Sequence, residues 1–209
     1  MKKSNQVNYL KILIISFFTF PVIAGEGTSS LLIYGDSISA GYGMEKEEQW
    51  SKDLEVLFKK DNFKIKIFNS SVSGETTGGG VSRINKVLDE LKPSYVLLEL
   101  GGNDALRGYP PDKIYQNLMT MINACKDRGI EVFLMQIKIL PNYGKRYQTQ
   151  FESVYSKVAV ASGVTLIPFM LEEVALNKEL MFDDGIHPNE AAQPLIAKFV
   201  FESLREYLK

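Results

Sequence analysis

The sequence has one cysteine, one histidine and no excess of basic over acidic residues. Its one cysteine, Cys125, cannot form an internal disulfide, and we interpret it as a packing residue rather than a catalytic thiol. Its one histidine, His187, would leave a zinc site dependent on carboxylates, so we expect no metal and no other cofactor. A formal net charge of -1 excludes the strong positive charge of a nucleic-acid-binding protein.

The first 24 residues contain no acidic residue and resemble a secretory signal peptide. Lys2, Lys3 and Lys11 precede an apolar run at 12–24, which ends in small residues at 22–24. This run is too short to span a bilayer comfortably, so we favour a cleaved signal at 1–24 over an uncleaved anchor or a buried first helix. We therefore expect one domain at 25–209, in the periplasm or secreted, without a stable membrane anchor.

Apolar, strand-like runs alternate with stretches of helical periodicity along the rest of the chain. Strands are predicted at 31–34, 64–69, 95–100, 130–136 and 164–167, and 64–69 has the alternating pattern of an edge strand. Helices are predicted at 47–60, 80–91, 112–128, 147–162 and from about 189 to 207. This order predicts an α/β protein with a parallel sheet covered by helices on both faces. Ligands of such sheets bind at the carboxyl ends of the strands.

Polar motifs follow the first three predicted strands. Ser37, in Gly-Asp-Ser, could present its backbone N–H to an oxyanion, or it could simply cap a helix. Gly74 could bring a backbone N–H close to a ligand, or it could belong to a turn before the glycines at 78–80, which lack the lysine of a phosphate loop. Asn103 could donate its amide to an oxyanion or close an Asx turn, and we assign Asp104 to the turn.

A carboxylate precedes the only histidine by three residues near the C-terminus. Gly185 allows a tight bend between Asp184 and His187, and Pro188 disfavours a helical conformation at the histidine. Asp184 could then orient and stabilise the imidazole while His187 acts as a base, and Asp183 should point elsewhere. The alternatives are a capping turn or part of a metal site. No Gly-x-Ser-x-Gly motif occurs, so the α/β-hydrolase fold is not indicated.

These motifs, taken in order, resemble those of the SGNH (GDSL-type) hydrolase family. The resemblance runs from about residue 31 to the C-terminus and includes the segments 35–42, 99–104, 106–108, 142–144 and 183–189. Within the family, the chain is especially similar to periplasmic enzymes that combine acyl-CoA thioesterase, lysophospholipase and arylesterase activity. The resemblance implies a flavodoxin-like three-layer α/β/α sandwich with a five-stranded parallel sheet.

The same resemblance implies a role for each motif residue. Ser37 would be the nucleophile, His187 the base and Asp184 the orienting acid. The oxyanion hole would consist of the Ser37 and Gly74 N–H groups and the Asn103 side chain. The expected reaction is hydrolysis of an acyl ester or thioester through an acyl-serine intermediate.

The substrate is expected to be a small acyl ester or thioester bound in an apolar pocket built from the loops that follow the strands. Candidate lining residues are Leu106, Tyr109, Pro110, Ile137, Ile139, Leu140, Tyr143, Met181 and Phe182. Two alternatives remain open at this point: a carbohydrate O-acetyl esterase with the same machinery, and a non-catalytic binding module. We expect a monomer that binds no nucleic acid.

Overall fold

The structure is a computed structural model that describes residues 29–139 and 143–208. The predicted signal peptide and Leu140 therefore lie outside the described residues. Within the described residues, no helix has the length and apolar character needed to cross a membrane.

Five parallel strands form one sheet, in the order β2-β1-β3-β4-β5. The strand bounds are Ser29–Gly35 (β1), Ile65–Asn69 (β2), Tyr95–Glu99 (β3), Glu131–Met135 (β4) and Thr165–Ile167 (β5). Every residue of β3 is buried, as its continuous apolar run predicts, and the half-exposed β2 lies at an edge. The predicted five-stranded parallel sheet is confirmed.

Seven α-helices are found among the described residues. Their bounds are Ser37–Ala40 (α1), Trp50–Lys60 (α2), Thr77–Leu91 (α3), Gly102–Leu106 (α4), Pro111–Lys126 (α5), Lys145–Ser162 (α6) and Gln193–Leu204 (α7). The longer helices have the spacing of an amphipathic helix; in α2, for example, Trp50, Leu54 and Phe58 recur every four residues and are buried.

Helices cover both faces of the sheet. Tyr34 projects toward α3, where its hydroxyl donates to the Gly80 carbonyl at 2.7 Å. Ile33 is in register with Leu97 and, through it, with Phe133, and the Phe133 ring contacts Tyr207 just beyond α7. Because neighbouring residues of a strand face opposite sides, α3 and α7 lie on opposite faces. The three-layer α/β/α sandwich is thereby confirmed.

Two predicted helices are each divided in the structure, and the other three have bounds within three residues of those predicted. The predicted helix 47–60 is divided into a 3₁₀ turn at Lys46–Glu48 and α2, because Gln49 between them is extended with ψ 142°. The Trp50 N–H bonds to the Gln193 side chain at 3.0 Å, so α2 begins on a long-range contact. The predicted helix 189–207 is likewise a 3₁₀ turn at Glu190–Ala192 followed by α7.

Candidate active site

Ser37, His187 and Asp184 form one continuous chain of hydrogen bonds. The Ser37 Oγ atom lies 2.8 Å from His187 Nε2, and His187 Nδ1 lies 2.7 Å from Asp184 Oδ2. These distances fit a neutral imidazole whose Nδ1–H donates to Asp184 and whose Nε2 accepts from the Ser37 hydroxyl. The fold thus joins a hydroxyl and an imidazole that are 150 residues apart in the chain. Such an arrangement can remove the proton of an attacking serine.

Short-range bonds shape the turn that carries His187. Asp184 Oδ1 accepts from the N–H groups of Ile186 and His187 at 2.9 and 3.0 Å, which leaves Oδ2 for the ring. Gly185 has a φ of 67°, the left-handed conformation that the predicted bend requires. The Phe182 N–H closes the turn on the His187 carbonyl at 2.8 Å. The predicted turn is therefore present, and it is not helical.

The Asp184 carboxylate is stabilised in its charged form. Slight burial raises its pKa, but the N–H of His187, the His187 ring and the N–H of Ile186 together lower it below the usual value. The side chain is 37% exposed, so solvent also supports the charge. Asp183, its neighbour, is exposed. A carboxylate that is ionised at neutral pH can hold the ring's orientation and stabilise an imidazolium.

The nucleophile side of the site rests on a buried carboxyl. Glu99 Oε2 accepts from the Ser39 hydroxyl at 2.7 Å and from the Asp36 N–H at 3.3 Å. A Cβ atom at Gly35 would clash with that same oxygen. The close approach of the Glu99 carboxyl and of the Ser39 side chain is therefore what favours glycine at this position. Burial and the neighbouring Asp36 raise the pKa of Glu99 well above its usual value.

Asp36 links the nucleophile helix to the Asn103 amide. It caps α1 by accepting from the Ile38 N–H at 3.1 Å, so Ser37 is the first helical residue and not the cap. Its other oxygen accepts from Asn103 Nδ2 at 3.2 Å. Among the described residues this is the one bond of the Asn103 amide nitrogen, so its second N–H remains available to a ligand. Burial raises the pKa of Asp36 to about 6, although both hydrogen bonds lower it.

Gly74 lies in the loop that follows β2, with a φ of 78°. A Cβ atom there would meet nothing within 4 Å, so the positive φ is the structural reason for glycine at this position. The Arg107 guanidinium donates to the Gly74 carbonyl at 3.3 Å. Because Arg107 directly follows α4, this bond ties the Gly74 loop to the helix that carries Asn103.

Asp104 has a structural role, but the predicted turn is wrong: the residue lies in α4 and bonds to a distant segment. Its carboxylate accepts from the Thr77 N–H at 2.8 Å and from the Thr77 hydroxyl at 2.6 Å, and the residue is almost fully buried. Thr77 in turn accepts from the Asn117 amide at 2.9 Å. This network joins α4 to the start of α3 and to α5.

An apolar cavity of about 320 Å³ opens at Ser37 and His187, which is the lower end of the size range of small-molecule sites. Among the predicted lining residues, Leu106, Ile137, Ile139 and Met181 line it. The remaining lining residues that are apolar are Ile38, Phe169, Met170, Leu171, Ala175, Leu176 and Ile186. Asn103 shares the same wall, whereas Gly74 is not among the lining residues.

Four predicted lining residues lie elsewhere: Tyr109, Pro110, Tyr143 and Phe182. The Tyr109 carbonyl accepts from the Tyr147 hydroxyl at 2.7 Å, so its segment packs against α6. Phe182 turns its ring toward Gly43. Pro110 directly precedes α5 and serves as its N-terminal cap position. The prediction that these four side chains line the same pocket as Ser37 therefore has no support in the cavity of this structure.

The segment that follows β5 was not predicted to line the site. Phe169, Leu171 and Leu176 come from this segment, and they form much of one wall. The signal was available in the sequence, because the apolar run at 169–171 directly follows the last predicted strand at the same edge of the sheet.

The described part of the chain offers neither a cluster of metal ligands nor a reactive thiol. Among the described residues, no three His, Cys, Asp or Glu side chains cluster so as to hold a metal ion. Cys125 is buried in α5, and burial raises the pKa of its thiol to about 12, so it is unsuited to act as a nucleophile. The absence of a cofactor remains a prediction.

The fold and the hydrogen-bonded Ser-His-Asp set define a serine hydrolase on a parallel α/β sheet. Comparison with known proteins gives its family. The GDSL-like Lipase/Acylhydrolase family profile matches residues 33–194. The chain is 43% identical to an arylesterase of Vibrio mimicus over 199 residues, which cover 95% of this chain and 100% of that protein.

Two further relatives give the same result. The chain is 41% identical to thioesterase 1/protease 1/lysophospholipase L1 of Escherichia coli over 94% of this chain and 92% of that one. A crystal structure of the psychrotrophic esterase EstA from Pseudoalteromonas sp., inhibited by monoethylphosphonate, superimposes with a TM-score of 0.84 at 37% identity, covering 86% of this chain and 98% of that chain. The chain belongs to the GDSL-like lipase/acylhydrolase family and is an esterase of the SGNH type.

Proposed function

We propose that the protein hydrolyses acyl esters and thioesters through an acyl intermediate on Ser37. The observation that carries this proposal is the pair of hydrogen bonds from Ser37 to His187 and from His187 to Asp184, at 2.8 and 2.7 Å, at the mouth of an apolar cavity. A nucleophile, its base and an orienting carboxylate are the groups that acyl transfer requires.

In the first step, Ser37 Oγ forms a bond to the carbonyl carbon while its proton passes to His187 Nε2. The carbonyl oxygen becomes an oxyanion, which the N–H groups of Ser37 and Gly74 and the Asn103 amide stabilise by hydrogen bonds. The imidazolium keeps its bond to the ionised Asp184, which offsets the new positive charge.

In the second step, the imidazolium gives its proton to the leaving oxygen or sulfur, and the bond between that atom and the acyl carbon breaks. The acyl group remains on Ser37. A water molecule then attacks the acyl-serine carbonyl, His187 takes the water proton, and the same proton returns to Ser37 as the free acid departs.

The cavity supports a fatty acyl substrate. Its Leu171, Leu176 and Met181 side chains offer hydrocarbon surface and no hydrogen bonds, so each methylene of a bound chain adds to the binding free energy. Relatives are named as an arylesterase and as a thioesterase and lysophospholipase. We therefore propose acyl-CoA thioesters, lysophospholipids and aryl esters as the substrate classes.

A panel of p-nitrophenyl esters of increasing chain length, with acyl-CoA and lysophospholipid, tests the substrate class. We expect kcat/KM to rise from acetyl to medium-length chains because more apolar surface becomes buried. A carbohydrate O-acetyl esterase would instead prefer acetyl esters, and that result would contradict the proposed substrate class while leaving the mechanism intact.

Labelling with a fluorophosphonate probe tests the nucleophile. We expect covalent modification of the wild type at Ser37 and none of Ser37→Ala, with Ser156→Ala, an exposed serine of α6, as a control that still reacts. Equal labelling of wild type and Ser37→Ala, or no labelling of either, would favour a non-catalytic binding module.

We further propose that residues 1–24 are a cleaved signal peptide and that the enzyme works in the periplasm or is secreted, as a monomer without a cofactor. The basic start and the apolar run of the sequence support export. N-terminal sequencing of the exported protein tests the cleavage, and a start at Met1 would contradict it.

A further inference from the structure

The His187 ring has an aromatic neighbour in addition to its two hydrogen-bond partners. The Tyr42 ring stacks on the imidazole, with 4.1 Å between ring centroids and 25° between ring planes. Tyr42 is 50% exposed and is not among the residues that line the cavity. Its hydroxyl has no hydrogen bond among the described residues, so Tyr42 contacts His187 only through the stacked faces of the two rings.

The backbone ties Tyr42 to the nucleophile. Gly41 ends α1, the helix that begins at Ser37, and the Tyr42 N–H donates to the Ser37 carbonyl at 3.1 Å. The next residue, Gly43, lies against the Phe182 ring, where a Cβ would come within 3.2 Å. The segment that carries Tyr42 therefore links the nucleophile helix to the turn that carries His187.

The stacked Tyr42 ring restrains tilting of the His187 imidazole out of its plane, which the two hydrogen bonds of the ring do not prevent. The bonds to Ser37 and Asp184 lie at the ring nitrogens, in the plane of the imidazole, so they chiefly resist rotation within that plane. A ring packed on the flat face resists tilting out of the plane.

We propose that Tyr42 is a positioning residue for the general base: its stacked ring holds the His187 imidazole in line with Ser37 during proton transfer. This inference rests on the proposed function, since it assigns Tyr42 a part in the same reaction. Tyr42 acts through His187 and not through the substrate, so its loss should lower kcat and leave KM nearly unchanged.

The experiment compares Tyr42→Leu, Tyr42→Phe and wild type on one p-nitrophenyl ester. Leucine keeps an apolar cover without an aromatic face, and phenylalanine keeps the face without the hydroxyl. We expect about tenfold lower kcat for Tyr42→Leu, the upper range for one aromatic pair, with KM within about twofold and Tyr42→Phe close to wild type. Tyr207→Leu is the matched control, because Tyr207 is 43% exposed and its ring contacts Phe133.

Proton NMR supplies a readout that does not depend on turnover. His187 is the only histidine, so its imidazole signals need no assignment in protein made without a histidine tag. The ring current of a stacked aromatic should displace these signals in wild type and Tyr42→Phe, and Tyr42→Leu should lose the displacement.

Three results would overturn the inference: wild-type kcat in Tyr42→Leu, equal losses in Tyr42→Leu and Tyr42→Phe, or a change confined to KM. Failure of the proposed function would appear in the wild-type rate itself. Failure of this inference would appear only in the ratio of a Tyr42 variant to an active wild type.

Discussion

The two sides of the site are held in different ways. On the nucleophile side, Ser37 and Asn103 follow the ends of β1 and β3, and the carboxyls beneath them, Asp36 and Glu99, are 3% and 1% exposed. On the base side, His187 lies in a local turn whose Asp184 side chain is 37% exposed. Burial raises the pKa values of the first pair of carboxyls, whereas hydrogen bonds lower that of Asp184.

This difference separates two tasks. Asp36 accepts a hydrogen bond from the Asn103 amide and so holds it in place, and burial makes Asp36 keep its proton to a higher pH than an ordinary aspartate. A negative charge beside the imidazole favours its protonation, and Asp184 is ionised there. The buried side thus positions the nucleophile and the Asn103 amide, and the more exposed side provides the negative charge of Asp184.

The largest expected effect tests whether the two sides act as one unit. Ser37→Ala and His187→Ala should each lower kcat by about 10⁶, and the double variant should be no worse, because neither group works without the other. Steady-state and single-turnover rates on an aryl ester measure this. Losses that multiply in the double variant would show that the sides act independently.

Asp184→Asn should lower kcat by about 10⁴, because an amide in place of the carboxylate no longer holds the reactive tautomer of His187 or stabilises its charged form. Its effect on the midpoint of thermal unfolding should be small, since the side chain is partly exposed and asparagine can still accept from the N–H groups of Ile186 and His187. A kcat within tenfold of wild type would remove Asp184 from the reaction.

Asn103→Ala should lower kcat by about 10²–10³ with little change in KM, the usual cost of losing one oxyanion donor. This is the smallest of the three catalytic losses, because the backbone donors remain. Asn117→Ala removes a different buried amide, the one that bonds Thr77 outside the cavity, and serves as a control that should affect stability rather than kcat. An unchanged kcat in Asn103→Ala would leave Asn103 only its structural bond to Asp36.

The smallest effect concerns stability against pH. The raised pKa values of Asp36 and Glu99 mean that the folded state holds their protons more tightly than the unfolded chain. Their contribution to the free energy of unfolding is fully present below the unfolded carboxyl pKa of about 4. As pH rises, this contribution is lost through about 6 for Asp36 and through the raised pKa for Glu99. The lowered pKa of Asp184 has the opposite effect on stability, so the contribution of Asp184 to the free energy of unfolding is lost as pH falls.

Glu99→Gln tests this assignment, because the amide stands for the protonated acid and its oxygen can still accept from Ser39 and Asp36. The decline in unfolding free energy between pH 4 and 7 should be smaller than in wild type, because the amide has no proton to lose over this range. Denaturant unfolding at several pH values measures it. An unchanged slope would remove Glu99 as a source of the pH dependence.

Much of the local structure could be predicted from the sequence. The five strands lie within about two residues of their predicted bounds, because apolar runs and alternation are properties of short segments. The bend at Asp184, Gly185 and His187 was also predictable, since the residues that make its bonds are adjacent in the chain. The GDSL-type motifs identified the family from the same short segments.

Contacts between distant segments could not be predicted in this way. Glu99 looked like the end of an apolar strand, yet its carboxyl lies against Gly35, 64 residues away. Tyr42 belonged to a recognised motif, but nothing in the motif indicates that its ring stacks on His187. The apolar run at 169–171 placed that segment at the correct edge of the sheet, but the sequence did not show which of the segments after the strands would turn toward Ser37 and form the cavity wall.

The sequence by itself determined the class of fold, the family, the bend before Pro188 and the candidate reactive groups, because these depend on residue type and short spacing. Only the tertiary structure decided that Ser37 meets His187, that Asp36 holds the Asn103 amide and which side chains surround the cavity. The physical reason is that these contacts depend on the register of the sheet and the packing of helices on it, which are set by the whole core at once.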